Sequence, residues 1–137
     1  MSNHIDGVTV RALKVVPDER GFLMEIFRRD SPEFQQFGQV YMTAVYPGVV
    51  KAWHLHKVQV DNFAVIHGMV KVGLVDMRPD SKFQGSDMTI YAGEKNPVLI
   101  HVPPGIYHGF KGIGTDTALV VNVPTHPYDY ENPDEFR

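Results

Sequence analysis

Glycine and proline interrupt the apolar stretches of this chain so often that long helices have little room to form. The 137 residues include 12 Gly and 10 Pro, and the segments between them are short and rich in β-branched side chains. Short apolar runs bounded by turn residues are typical of β-strands. The predicted strands are Val8–Val16, Phe22–Phe27, Gln39–Tyr46, Val49–His56, Asp61–His67, Met69–Met77, Asp87–Tyr91, Val98–Val102 and Ala118–Val123. About nine such strands predict an all-β protein with a closed or two-sheet β-barrel.

One segment carries the signals of a helix start. Ser31 is a favourable N-cap, Pro32 suits the first helical position, and Glu33 places an acid in the first turn. Gly38 would end such a helix, so its last residue is expected near Phe37. We therefore predict one short helix between the second and third strands.

Composition and charge exclude several classes of function. The length fits one domain, residues 1–137, and 43% hydrophobic residues suffice for an ordinary core. A net charge of −3 argues against a nucleic-acid-binding face, and no apolar run approaches the ~18 residues of a membrane span. The chain has no cysteine, which excludes disulfides and thiolate-held metals. Its N-terminus, Met1–Asp6, lacks a basic and then apolar signal stretch, so we expect a cytoplasmic protein.

Three histidines and one acid occur at spacings that can bring them together on neighbouring strands. His54 and His56 are two residues apart and therefore face the same side of a strand. Asp61 follows after a predicted turn, and His108 comes from a separate segment. Imidazoles and a carboxylate that converge inside a barrel can hold a metal ion or perform acid–base catalysis. From these residues alone, both interpretations stay open.

Two motifs that contain these histidines resemble the motifs of the cupins. The first runs from Gly48 through five residues to His54-x-His56, then through four residues to Asp61 and six more to Gly68. The second has the form Pro-x-Gly-x-x-His and ends at His108. Asp61 stands where glutamate is usual in the first motif. The resemblance implies a small antiparallel β-barrel of the jelly-roll type.

A narrower resemblance covers most of the chain. The segments that carry it are Asp18–Phe22 (DERGF) followed by Glu25, Val50–His54 (VKAWH), Val75–Arg78 (VDMR) and Val102–Phe110 (VPPGIYHGF). They resemble the dTDP-4-dehydrorhamnose 3,5-epimerase (RmlC-like) family. The resemblance implies a homodimeric isomerase that requires no metal or other cofactor. It also implies the reaction, which is epimerisation of a nucleotide-linked 4-keto-6-deoxyhexose by removal of a proton next to the ketone.

The same resemblance implies roles for individual residues. His54 matches the family's base. Arg20 and Glu25 match residues that hold the nucleotide portion, sometimes across the dimer interface. Lys51 and His108 would supply positive charge or hydrogen bonds to the developing enolate.

Three positions depart from the family pattern. Asn122 stands where the family has its tyrosine acid, Asp61 where it has a lysine, and His56 where it has a glutamine. The family's chains also run further, and the carboxylate that pairs with the base is expected in the part without a counterpart here. In an active enzyme Asp61 would replace that carboxylate by holding His54 or His56. Tyr41, Tyr46 and Tyr107 become candidate acids if Asn122 is inert.

These considerations give a candidate site and two alternatives. The candidate catalytic residues are His54, Asp61 and His108, and the candidate substrate-binding residues are Arg20, Glu25, Lys51, His56 and Asn122. The first alternative is a metal-dependent cupin, with iron, manganese, nickel or zinc bound by His54, His56, Asp61 and His108. The second alternative is a sugar-nucleotide-binding module without catalysis. His126 and Tyr128 are candidates for the rim of the pocket.

Two segments are candidates for contacts with a second copy of the chain. Val8–Val16 is expected at a sheet edge, where it could pair with the sheet of a partner and form the homodimer. The polar tail Tyr128–Arg137 is expected to cover the surface or to fit a partner chain.

Overall fold

The computed structural model describes residues 4–82 and 84–137, and within these ranges the chain consists of strands, turns and loops. The strands are β1 (Thr9–Ala12), β2 (Val15–Asp18), β3 (Gly21–Met24), β4 (Tyr41–Val45), β5 (Val50–His54), β6 (Asp61–His67), β7 (Met69–Asp76), β8 (Asp87–Gly93), β9 (Val98–Val102), β10 (Ile106–Ile113) and β11 (Ala118–Asn122). The first three residues of the N-terminal stretch Met1–Asp6 lie outside the described ranges. The part of the chain that is described forms no helix with the length and apolar character of a membrane crossing.

The strands form two main sheets and a separate hairpin. One sheet has five strands in the order β1-β9-β6-β11-β4, and the other has four in the order β5-β10-β7-β8. Strands β2 and β3 pair only with each other among the described strands. All of these pairings are antiparallel. The connections between the two sheets place the ends of β5, β6 and β10 close together, and these are the strands that carry the histidine motifs.

The core lies between the two main sheets. Strand β7 alternates buried and more exposed residues, as a strand with one face on a core does, and Val70, Val72 and Leu74 are fully buried. Phe63 and Ile100 belong to the five-stranded sheet and to the same hydrophobic cluster. Burying each such side chain stabilises the fold by roughly 1.5–3 kcal/mol.

The predicted all-β cupin architecture is confirmed, with one qualification about closure. The two sheets face each other around a shared core and are not joined into one continuous barrel. Because the sheets stay separate, a cavity opens between them at the end where β5, β6 and β10 meet.

The predicted short helix from Ser31 to Phe37 is wrong. The Ser31 hydroxyl accepts the backbone N–H of Arg28 at 2.9 Å, so it does not cap a following helix. Only one turn forms, in which the Phe34 N–H donates to the Ser31 carbonyl at 3.0 Å. Long-range contacts then hold the segment on the surface of the five-stranded sheet. They include a 2.7 Å ion pair between Glu33 and Arg11, a 2.7 Å bond from the Gln36 amide to the Thr125 carbonyl, and a bond from the Gly38 N–H to the Pro124 carbonyl. Tertiary contacts outweigh the local capping signals here.

The predicted strand Val8–Val16 divides into two strands with different partners. Its first part, β1, lies at the edge of the five-stranded sheet, as expected. Leu13 then turns into a small cluster with Ala64 and Leu99, which ends the strand. The chain continues as β2, which includes Pro17 and pairs with β3.

Gly109 lets β10 pass close to β5. A Cβ at this position would collide with the Cβ of Ala52, so only glycine fits without movement. This close pairing brings His108 and His54 directly opposite each other in the register of the two strands. The motif Pro-x-Gly-x-x-His-Gly therefore contains a glycine that the packing of the two strands requires, next to the candidate functional residue His108.

Candidate active site

A cavity of about 220 Å³ lies between the sheets at the ends of β5 and β6. Its polar lining comes from five strands, because adjacent positions on β4, β5, β6, β10 and β11 all point into it. The strand residues that provide this lining are Tyr41, Thr43, Lys51, His54, Asp61, His108 and Asn122, and His56 and Glu135 add to it from outside the strands. The structure thus brings the candidate catalytic residues together in one concave site.

Asp61 holds two of the histidines with a single carboxylate oxygen. Its Oδ2 lies 3.0 Å from Nε2 of His108 and 3.3 Å from Nε2 of His56. Its Oδ1 accepts the side-chain amide of Gln59 at 2.7 Å. Asp61 is only 3% exposed, so these contacts replace nearly all of its hydration.

The Nδ1 atoms of both histidines face backbone carbonyls. Nδ1 of His56 lies 2.6 Å from the carbonyl oxygen of Asp134, and Nδ1 of His108 lies 3.0 Å from that of Ile106. A carbonyl oxygen only accepts, so each Nδ1 carries a proton and each Nε2 is directed at Asp61. The two rings are therefore fixed in orientation by backbone carbonyls, that of His108 by β10 and that of His56 by the C-terminal tail.

Charge is concentrated in this cluster. Burial works against a charged His56, yet its hydrogen bond to Asp61 raises its pKa to about 9. Burial also works against a charged Asp61, but the hydrogen bonds from His108 and His56 hold its pKa well below the usual range. His56 is therefore an imidazolium and Asp61 a carboxylate at neutral pH.

His54 is paired with a carboxylate that the sequence comparison placed outside this chain. Its Nδ1 lies 3.0 Å from Oε1 of Glu135, which directs the Nδ1–H to the carboxylate and leaves Nε2 free as an acceptor. Burial lowers the pKa of His54, and Glu135 partly opposes this shift. The expectation that no carboxylate of this chain faces His54 is therefore wrong, and Asp61 holds His56, one of the two rings expected for it, rather than His54. Glu135 lies 81 residues after His54, and no spacing rule connects them.

The tail reaches the site because it pairs with the end of β5. Phe136 exchanges two backbone hydrogen bonds of 2.9 Å with Leu55, between the two histidines. The prediction that the polar tail covers the surface therefore holds for this part, and the surface it covers is the edge of the active site.

Tyr41 and Asn122 face each other across β4 and β11. The Asn62 N–H donates to Oδ1 of Asn122 at 3.0 Å, which fixes the amide so that its Nδ2 donates to the Tyr41 hydroxyl oxygen at 2.9 Å. The Tyr41 oxygen thus accepts from Asn122, and its own proton is available to the cavity. Burial of the hydroxyl end raises the pKa of Tyr41, with Asp61 adding to the effect. The tyrosine keeps its proton at neutral pH.

The remaining candidates for substrate binding lie in different places. Lys51 lines the cavity and donates to the Thr43 hydroxyl at 2.9 Å. Arg20 lies at the tip of the β2–β3 hairpin, with its side chain 86% exposed, and pairs with Asp18. Glu25 is also exposed and pairs with Arg28 at 3.2 Å. Neither Arg20 nor Glu25 lines the described cavities of its own chain.

A larger outer cavity of about 980 Å³ shares Tyr41, His56 and Glu135 with the inner one. The rim candidates His126 and Tyr128 both line it. The ring of Tyr128 packs edge-on against that of Tyr130, with centroids 5.0 Å apart. The outer cavity offers room for a group much larger than one sugar ring.

Three of the four predicted metal ligands come together. His56, Asp61 and His108 each offer a ligand atom within 4.8 Å of the others. His54 is not part of this group, because its Nδ1 faces Glu135.

The fold and site define a class of protein: a small cupin with a histidine–carboxylate pair, a protonated tyrosine and a histidine–aspartate cluster around one cavity. The chain belongs to the dTDP-4-dehydrorhamnose 3,5-epimerase family, which matches residues 2–137. Its relatives are sugar epimerases and isomerases, so the chain is a carbohydrate epimerase by family.

Individual relatives agree with this assignment. A probable low-salt glycan biosynthesis epimerase of Haloferax volcanii is 45% identical over 98% of this chain and 87% of its own length. A dTDP sugar isomerase of Desulfovibrio desulfuricans superposes with a TM-score of 0.92 at 34% identity, over 97% of this chain and 84% of that one. The dTDP-6-deoxy-D-glucose-3,5-epimerase of Legionella pneumophila, solved in complex with dTDP-4-keto-L-rhamnose, has a TM-score of 0.87 at 26% identity and covers 99% and 74% of the two chains.

Proposed function

We propose that this protein epimerises or isomerises a nucleotide-linked 4-keto-6-deoxy sugar by removing a proton next to the ketone, with His54 as the base. The observation that carries the proposal is the 3.0 Å contact between His54 Nδ1 and Glu135 at the wall of the cavity. It leaves Nε2 unprotonated, and the carboxylate stabilises the imidazolium that forms when Nε2 takes a proton.

The first step breaks one C–H bond of the sugar. The proton moves to Nε2 of His54, and the electron pair of the C–H bond passes to the ketone oxygen to give an enolate. The charges of His56 and Asp61 offset each other, and Lys51 adds an ammonium group to the wall of the cavity. Such fixed charges stabilise an enolate oxygen in a site from which water is excluded.

The second step returns a proton to carbon. Tyr41 is the proposed donor, because its hydroxyl keeps its proton and the fixed Asn122 amide stabilises the tyrosinate that it leaves. If the proton arrives on the face opposite to His54, the carbon is inverted. In this proposal Tyr41 replaces the tyrosine that other family members carry at the position of Asn122, one strand away in the same sheet.

The substrate class is supported by the relatives and by the shape of the site. The Legionella enzyme binds dTDP-4-keto-L-rhamnose. In this chain the inner cavity suits a sugar ring, and the outer cavity leaves room for the nucleotide.

We further propose a homodimer in which the exposed hairpin brings Arg20 and Glu25 to the nucleotide bound by a second copy, since a guanidinium binds phosphate with two parallel hydrogen bonds.

Deuterium incorporation tests the proposed reaction directly. The protein is incubated with dTDP-4-keto-6-deoxyglucose in deuterium oxide, and the sugar is analysed by mass spectrometry. We expect uptake of one or two deuterons, and its loss in His54→Asn. His67→Asn is the matched control, because His67 also pairs with a glutamate, Glu94, at 2.7 Å but on the surface. Binding without uptake would contradict the enzymatic proposal and support a sugar-nucleotide-binding module.

A second candidate function, a metal-dependent cupin enzyme, is favoured by the grouping of His56, Asp61 and His108. Two imidazoles and a carboxylate are suitable ligands for iron, manganese, nickel or zinc, and both Nδ1 atoms are bonded to carbonyls as in many metal-ligating histidines. Elemental analysis of protein purified without chelators decides this candidate. About one equivalent of metal, lost in His108→Asn, would support it, and less than about a tenth of an equivalent would exclude it.

A further inference from the structure

The segment 134–136 follows the end of β5 residue by residue. Glu135 contacts His54, Phe136 pairs with Leu55, and the carbonyl of Asp134 accepts the Nδ1–H of His56. We propose that Asp134 is a positioning residue for the base: its side chain anchors this segment so that Glu135 reaches His54. This inference rests on the function proposed above, because it assigns Asp134 a role in the same reaction.

The anchor is a set of three charge-assisted hydrogen bonds. The carboxylate of Asp134 accepts the backbone N–H groups of Lys57, Val58 and Gln59 at 2.8, 2.9 and 2.9 Å. These N–H groups belong to the loop between β5 and β6. Burial works against the charged form, yet these three donors hold the pKa of Asp134 below its usual range. The carboxylate is thus charged at neutral pH, and bonds of this kind are stronger than neutral ones.

The segment has further contacts besides this anchor: Phe136 exchanges two neutral backbone hydrogen bonds with Leu55, and the His56 ring donates to the Asp134 carbonyl. Phe136 lies under the ammonium of Lys57, with 4.4 Å between Nζ and the ring centroid, and a contact of this kind contributes about 0.5–1 kcal/mol when exposed. Glu135 is itself 28% exposed, and Arg137 lies 3.7 Å from the same oxygen that contacts His54. Without the anchor, Glu135 has water and Arg137 as alternative partners.

Holding Glu135 in place matters because it selects the tautomer of the base. A neutral imidazole has one proton and two nitrogens to place it on. With Glu135 at Nδ1, the proton stays there and Nε2 accepts from the substrate. With Glu135 displaced, a share of the molecules carries the proton on Nε2 and cannot remove one from the sugar.

The kinetic test is a double-mutant cycle between Asp134 and Glu135. We expect Asp134→Ala to lower kcat about tenfold with KM changed less than about twofold, and Glu135→Gln to lower kcat by about 100-fold. If Asp134 acts through Glu135, the double variant should be no slower than Glu135→Gln alone, within about twofold. If the two substitutions lower kcat by independent factors that multiply in the double variant, the proposal is overturned. Asp134→Asn, which keeps one acceptor oxygen, should restore part of the lost rate.

Asp129→Ala is the matched control for loosening of the tail. Asp129 also caps two backbone amides of the tail, those of Glu131 and Asn132, at 3.0 and 3.1 Å, but it does not contact the base. Asp129 lines the outer cavity proposed for the nucleotide, so this control is read by the tautomer of His54 without substrate and not by activity. A loss of the Nδ1–H preference equal to that in Asp134→Ala would mean that any loosening of the tail has the same effect and would overturn the specific role of Asp134.

A readout without substrate separates this inference from the proposed reaction. Nitrogen-15 NMR of labelled protein reports which nitrogen of the neutral His54 ring carries the proton. We expect the Nδ1–H tautomer in the wild type and in Asp129→Ala, and a mixture in Asp134→Ala and Glu135→Gln. The inference is overturned if the wild-type His54 ring shows no preference for the Nδ1–H tautomer, or if Asp134→Ala retains that preference. Both outcomes can be observed whether or not the protein catalyses the sugar reaction.

Discussion

At the scale of single residues, the chemistry of the site depends on which side chains can gain or lose a proton. Asp61 has one oxygen for two imidazoles, and both rings have their Nδ1 protons committed to backbone carbonyls. Among the described residues that line the inner cavity, His54 at Nε2 and Tyr41 at its hydroxyl are the groups that we assign to proton transfer. The fixed groups supply charge and the free groups move protons.

Asp61→Asn should remove a pH dependence of stability. The pKa of His56 is about 9 in the folded protein against 6.5 for an ordinary histidine. A raised pKa means that the charged ring favours the folded state, so this contribution is complete below pH 6.5 and is lost as the pH rises through 9. It amounts to about 3 kcal/mol. Urea unfolding of metal-free protein at pH 6 and pH 9.5 measures it. We expect a decline in the wild type and in His67→Asn, and a flat profile in Asp61→Asn.

Tyr41→Phe should separate the two proton transfers. His54 remains able to remove the proton, so deuterium exchange at the sugar carbon should continue. Formation of the epimer should fall by about 100-fold because the returning proton has lost its donor. Tyr91→Phe, a change at an exposed tyrosine of β8, is the control. Equal losses of exchange and product in Tyr41→Phe would contradict the assigned role.

The sequence predicts the cluster of His56, Asp61 and His108 but not the partner of His54. Asp61 begins β6 only a short loop after His56, so chain connectivity keeps these two close, and His108 enters through the second cupin motif. Glu135 reaches His54 through a tail without regular structure, and only tertiary contacts determine where such a segment lies. Tyr41 is intermediate: the sequence gives its strand, while the register with Asn122 comes from the sheet.

At the scale of strands, the approach of β10 to β5 controls the distance between His108 and His54. Gly109→Ala places a methyl group against Ala52, and overpacking of this kind costs about 1–3 kcal/mol. We expect a lower urea midpoint and lower activity. Ala52→Gly combined with Gly109→Ala should recover part of the stability, because the opposing methyl group is then absent. A single variant as stable as the wild type would show that the two strands can separate without cost.

Strand positions are better predicted than strand ends and caps. Strand β6 begins and ends as the sequence predicts, since its apolar run is bounded by turn residues. The helix at Ser31 fails because Ser31 caps a preceding loop and Glu33 binds Arg11, a residue far away in sequence. Local signals determine a conformation only where no distant partner competes for the same side chains.

At the scale of the whole molecule, the hairpin of β2 and β3 exposes apolar side chains that a second copy would cover. Phe22 is 71% exposed and Leu23 61%, next to the exposed Arg20. A hairpin of two strands gains little stability by itself, which favours packing against another surface. Arg20 and Glu25 also lie away from the cavities of their own chain, so a role in binding the nucleotide requires a partner's site.

Phe22→Asp should therefore convert a dimer into a folded monomer with weakened nucleotide binding. Light scattering of the wild type should give about twice the chain mass of 15.5 kDa, and the variant should give the single-chain mass. Calorimetry with the nucleotide sugar should show lower affinity in the variant, because Arg20 no longer reaches a partner's site. Tyr91→Asp, on an exposed position of β8, should stay dimeric and bind normally. A monomeric wild type, or a Phe22→Asp protein that remains dimeric, would contradict the role of the hairpin. Arg20 would then be an ordinary residue of a surface turn.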